Sequence, residues 1–88
     1  MRNSINYQLD ESADVLYASF GKPIPSVCEE IAGGVLVRKS LMTGEITGFT
    51  IINYIRQLYD GFLDGVFKDI PELADIQLPD YRMLYVEA

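Results

Sequence analysis

The chain predicts an α+β fold: an antiparallel β-meander of about five strands, one amphipathic helix packed on one face, and a C-terminal tail. Three observations carry this. Apolar residues recur at every second position in the first half of the sequence, the period of a strand with one covered face. Turn-forming residues, Asp10, Asp14, Gly33-Gly34 and Gly44, punctuate those runs at hairpin spacing. After Asn53 the apolar spacing changes to three and four, the period of a helix.

In the first strand Ile5, Tyr7 and Leu9 alternate with Asn6 and Gln8. The second, Val15 to Phe20, is a nearly continuous β-branched and aromatic run, which suits a central strand covered on both faces. Asp10 closes the hairpin by an Asx-turn and Asp14 does the same at its exit. That loop sets Leu9 against Val15 and Tyr7 against Tyr17. Pro23 and Pro25 then break the pattern into a loop.

Ser26 to Ala32 and Val35 to Ser40 flank Gly33-Gly34, a pair suited to a two-residue type I′ turn. This register places Ile31 opposite Leu36 and Glu29 opposite Arg38, with Glu30 opposite Val37 and its carboxylate in water. Leu41 to Gly44 turns the chain into a strand from Glu45 to Ile52. There Ile46, Gly48, Thr50 and Ile52 share one face, and Gly48 implies a bulge or a close approach. Asn53 is the candidate helix N-cap, followed by the stripe Ile55, Leu58, Tyr59, Phe62 and Val66. Gly61 and Gly65 each cost about 0.8–1.0 kcal/mol against Ala, so the helix should stop or fray between them. Pro71 opens a short helical turn. Residues 81–87 read as a strand by alternation, while Tyr81, Leu84, Tyr85 and Ala88 also fit a helical stripe.

The whole is expected to be a single small domain over residues 1–88, with 1–66 as sheet plus helix and 67–88 as a C-terminal extension. With 13 acidic against 7 basic residues the net charge is −6, which repels polyanions and argues against direct nucleic-acid binding. No apolar run approaches the roughly 20 residues of a membrane span. A single cysteine and no signal-peptide pattern make the cytoplasm the expected location.

These residues resemble a known family. Tyr7, Asp10, Ala13-Asp14-Val15-Leu16-Tyr17 and Phe20, then Glu29-Glu30, Gly34-Val35-Leu36-Val37, Gly44 and Gly48-Phe49-Thr50-Ile51-Ile52-Asn53, are similar to the short bacterial proteins of the domain-of-unknown-function 2283 family. The resemblance covers roughly residues 5 to 58. It implies an antiparallel sheet followed by a helix and no established activity. Members usually carry an acidic turn after the Gly-Val-x-Val strand, where this chain has Arg38 to Thr43. By association with small toxin-like gene neighbours, the resemblance also implies an antitoxin-like or regulatory role.

The chain contains no histidine, the side chain best suited to proton transfer near neutral pH. Its carboxylate pairs have structural explanations: Asp10 with Asp14 as turn caps, Glu29 with Glu30 as one acid per strand face, Asp60 with Asp64 as a solvated helix face. Asp10 to Asp14 lacks the frame of a calcium loop, and Cys28 reads as a half-buried small hydrophobe. No catalytic, metal or cofactor site is therefore expected. Tyr54, Tyr81 and Tyr85 are explained by neither strand pairing nor the helix stripe, and with Phe62 and Met83 they are the candidate interface residues.

Such a chain suits a non-catalytic protein-interaction or regulatory module. The alternative is a small-molecule binder or weak enzyme with a tyrosine-lined pocket between sheet, helix and tail. Five strands about 4.8 Å apart span roughly 20–25 Å, against about 10–12 Å for one helix. Yet both strand parities carry apolar residues: Leu16, Phe20, Phe49 and Ile51 on one, Val15, Tyr17, Ile46 and Ile52 on the other. A homodimer through the second sheet face or a tail strand, or else a small protein partner, is the expected consequence.

Overall fold

A computed structural model of the chain describes residues 5–22 and 24–80. Its backbone divides into two compact units, residues 1–53 and 54–88. The first is a five-stranded antiparallel sheet and the second carries two short helices, an α+β arrangement. The strands are β1 (Ile5–Asp10), β2 (Val15–Phe20), β3 (Ser26–Ala32), β4 (Val35–Ser40) and β5 (Ile46–Ile52). Their order across the sheet is β1-β2-β5-β4-β3. Three of the four neighbouring pairs are successive strands, and β5 returns to lie between β4 and β2. β1 and β3 are the edges.

The first hairpin is one residue out of the expected register. Leu9 faces Leu16 and Tyr7 faces Ala18, with Asp10 opposite Val15. Asp10 belongs to the strand, and four residues make the loop, the last of them Asp14 in the left-handed region at φ 55°. Asp tolerates that region better than most residues. The Asp10 carboxylate accepts the Ser12 hydroxyl at 2.8 Å and the Ala13 N–H at 3.3 Å, one residue beyond the expected Asx-turn partner. A one-residue slip exchanges the faces. Leu16 and Ala18 are consequently buried with Leu9's side, whereas Tyr17 stands 46% exposed. β2 is interior to the sheet but covered on one face rather than two.

The second hairpin keeps the expected pairing only next to its turn, where Ala32 faces Val35. A bulge at Ile31 then shifts the ladder, so that Glu30 faces Leu36, Glu29 faces Val37 and Cys28 faces Arg38. Of the two turn glycines only Gly34 takes a positive φ, 77°, so the turn is not type I′, which needs both. The Glu30 carboxylate is not idle in water: it accepts the Gly34 N–H at 3.2 Å and so braces this turn. Glu29 pairs with Lys39 at 2.9 Å instead of Arg38.

A second bulge leaves Thr47 unpaired in the ladder, between Gly48 opposite Arg38 and Ile46 opposite Lys39. The extra residue sends Ile46 to the opposite face from Gly48, Thr50 and Ile52. Gly48 has the close approach its sequence implied: a Cβ there would collide with the Ala18 carbonyl oxygen and lie 3.3 Å from Ser19 Cα.

In the second unit the expected single helix is two, α1 (Tyr54–Asp60) and α2 (Phe62–Lys68), separated by Gly61 at φ 73°. A left-handed residue cannot continue a right-handed helix, and glycine adopts it without steric cost. Gly65 lies inside α2. The break resets the helical phase, so the buried residues are Tyr54, Ile55 and Gln57 of α1 and Leu63 and Phe67 of α2. Tyr59 and Phe62, expected in the buried stripe, are 63% and 44% exposed. Asn53 has φ 57°, outside the extended region of a usual N-cap, and its contribution is tolerance of a left-handed turn into α1. Residues 71–75 form turns, with Leu73 fully buried and its N–H donating to the Ile70 carbonyl at 2.9 Å.

Candidate protein-interaction surface

The registers divide the sheet into two faces of different character. Leu16, Ala18, Val35, Val37, Phe49 and Ile51 face the same way, since Leu16 opposes Ile51, Ala18 and Val37 both oppose Phe49, and Val35 opposes Ile51. All six are at most 1% exposed. Phe49 anchors them, its ring meeting Tyr7 and Phe20 edge-on at 6.4 and 6.0 Å. Edge-to-face contacts of this kind add about 0.5–1.5 kcal/mol beyond area burial.

The reverse face is open. Val15 opposes Ile52, and Thr50 opposes Tyr17 on one side and Leu36 on the other. These residues form one continuous patch over β2, β5 and β4, with Ile52 42% exposed and Tyr17 46% exposed. Around it the same face carries Gln8 and Asp10 on β1, Ser19 on β2, Arg38 on β4, and Cys28 and Glu30 on β3. An apolar centre inside a polar, charged rim is the anatomy of a protein interface. Its residues are fixed in strands and braced at one end by Glu30 on the Gly34 N–H, so little order would be lost on docking.

The residues expected at an interface fall differently. Tyr54 is fully buried and its hydroxyl donates to the Pro79 carbonyl within the second unit. Phe62 is accessible on α2. Tyr81, Met83 and Tyr85 lie outside the described residues. Val15, Tyr17 and Ile52 were recognisable by strand parity. Leu36 does not follow from the expected register, which sets it against Ile31 where the structure sets it against Glu30 and Thr50; its alternation with Val35 and Val37 is the signal that places it. Cys28 is exposed rather than half-buried.

The second unit contains a cavity of about 360 Å³ walled by Leu63, Phe67, Ile76 and Leu78, with Asp64 and Asp80 among its polar residues. No tyrosine lines it among the described residues. Among the described residues no group of three His, Cys, Asp or Glu is placed to hold a metal, and no helix is long and apolar enough to cross a membrane. No family model, curated protein or solved structure matches the chain.

Proposed function

We propose that the protein is a non-catalytic interaction module that docks a protein partner on the open face of its sheet. The single observation behind this is the patch of Val15, Tyr17, Leu36, Thr50 and Ile52 held on rigid strands inside a charged rim. Tyrosine is among the residue types that dominate binding energy when an interface closes over them, and Tyr17 is the most exposed residue of this patch. The resemblance to the domain-of-unknown-function 2283 family favours a regulatory, antitoxin-like form of this activity in the cytoplasm, with the product of a neighbouring gene as partner.

Calorimetric titration with that gene product tests the reading. Tyr17→Asp should weaken binding by on the order of thirtyfold, the loss of a hot spot worth about 2 kcal/mol. Equal affinity for the parent and the Tyr17→Asp variant would overturn the docking face.

The cavity of the second unit supports a second reading, a small-molecule binder, because its volume and partly apolar walls fall within the range of ligand sites. A ligand present at a hundred times its dissociation constant would stabilise the chain by about 2.7 kcal/mol. Thermal-shift screening with small amphiphilic metabolites separates the readings: a hit abolished by Leu63→Trp and unaffected by Tyr17→Asp belongs to the cavity.

A further inference from the structure

We propose that the protein partner docked on the open face anchors itself with an arginine, whose guanidinium enters a recess between Tyr17 and Asp10. This rests on the docking face proposed above and names the chemistry that the face takes.

An open recess of about 250 Å³ is lined by Gln8, Leu9, Asp10 and Tyr17. That is below the roughly 300–1,000 Å³ of a small-molecule site and suits one side chain of a larger partner. The register explains its walls. Gln8 opposes Tyr17, Leu9 opposes Leu16 and Asp10 opposes Val15, so Gln8, Asp10 and Tyr17 have the parity of the open face while Leu9 has that of the covered one. Gln8 and Asp10 are exposed, and Tyr17 is 46% exposed. Asp10 and Tyr17 are diagonal neighbours, about 7–8 Å apart in such a strand pair, and a planar group inserted between them touches both.

The groups gathered there favour a cation with several donors. Tyr17 supplies an aromatic ring, whose face attracts positive charge. The Asp10 carboxylate is held in place through one oxygen, since the Ser12 hydroxyl at 2.8 Å and the Ala13 N–H at 3.3 Å both donate to Oδ1. Its Oδ2 is left as an acceptor, and Gln8 adds a side-chain carbonyl. Neither described bond to Asp10 comes from a cation, and Arg38, on the same face, belongs to β4, three strand spacings or roughly 14 Å from β1. Arginine fits this set better than lysine, because a planar guanidinium stacks on a ring while the donors along its edge reach a carboxylate. The row from Asp10 continues through Val15 to Ile52, which gives apolar side chains beside the arginine a place to rest. A net charge of −6 steers a basic partner towards the chain.

The test is a titration of the nitrogen-15-labelled full chain, followed by NMR, with the peptide acetyl-Val-Ser-Arg-Ser-Val-amide and with its counterpart carrying citrulline, the neutral analogue of arginine. The amide signals of Gln8, Asp10 and Tyr17 should move, and the arginine peptide should bind about fivefold more tightly than the citrulline peptide, a preference that shrinks as salt is added. Asp10→Asn keeps a side-chain acceptor for the turn, so the variant should fold, which its own spectrum verifies, and it should bind the two peptides alike. Equal affinity of the parent chain for the two peptides, with shifts at Val15, Tyr17 and Ile52, would overturn the arginine and leave the docking face standing. A preference that survives Asp10→Asn would overturn it as well. Shifts from neither peptide would overturn both. Acetyl-arginine amide binding as tightly as the whole arginine peptide would make the recess a site for a small free cation and overturn the protein anchor.

Discussion

The covered and open faces of the sheet are drawn from the same strands and from similar residue types, yet they contribute to different properties. Phe49, Ile51, Leu16 and Val37 are removed from water, while Tyr17 and Ile52, their neighbours in sequence, keep nearly half their surface exposed. An apolar residue therefore does not declare its purpose by its hydropathy. Parity decides which face it joins, and parity is set by turns and bulges. The covered face accounts for stability, and the open face leaves apolar area of Tyr17 and Ile52 in water.

Substitutions on the two faces should separate those roles. The largest effect is expected at Phe49→Ala, which empties a fully buried aromatic position of the covered face and should cost about 3–5 kcal/mol in a urea melt. That is a large share of the roughly 5–15 kcal/mol available to a small domain, so partial unfolding at ambient temperature is the expected appearance. Gly48→Ala comes next and tests the comparison from the other side. Gly48 has the parity of the open face, but the added methyl would meet the Ala18 carbonyl of a neighbouring strand instead of solvent. Backbone cannot swing aside as a side chain can, and a loss of about 1–3 kcal/mol is expected. Stability unchanged within error would show that β2 and β5 separate more easily than their register implies.

The sequence made the strands and their edges legible because period-two alternation and turn chemistry are local. It concealed whatever one extra residue could alter. The loop after Asp10 is four residues long, the bulge at Ile31 moves Glu29 from Arg38 to Val37, and the bulge at Thr47 transfers Ile46 between faces. Each is decided by cross-strand hydrogen bonding that composition does not encode. The helical region failed for a related reason: Gly61 takes a left-handed conformation and resets the phase, which brings Leu63 in and turns Phe62 outward. The open-face patch was half legible, since Val15, Tyr17 and Ile52 follow from alternation, whereas Leu36 joins them only once β4 is placed beside β5.

Ile52→Thr should sharpen the contrast with Phe49. It removes apolar surface from a residue already 42% exposed, on a strand where threonine is well tolerated. The melting curve should move by no more than about 0.5 kcal/mol, the usual range for surface positions. Partner affinity should nevertheless fall in calorimetry. A substitution that destabilised the chain as Phe49→Ala does would show that Ile52 is covered in the working protein by its own chain, and the distinction between the faces would fail.

The smallest effect is expected where the covered face runs out, at the β3–β4 edge. Glu29 and Lys39 have the parity of Val37, so they continue its row, but they meet as an ion pair at 2.9 Å with 57% and 39% of their side chains exposed. Water screens such a pair, and ordering two long side chains offsets part of its attraction. A double-mutant cycle with Glu29→Gln and Lys39→Met should return a coupling of about 0.2–0.5 kcal/mol, decreasing as salt is added. The value discriminates between two uses of that edge. A coupling of about 2 kcal/mol or more, insensitive to salt, would mean that the pair is desolvated and the covered face extends to β3. The expected small, salt-sensitive coupling instead leaves the pair as a charged border, which ends the covered face and keeps β3 from acquiring a neighbour.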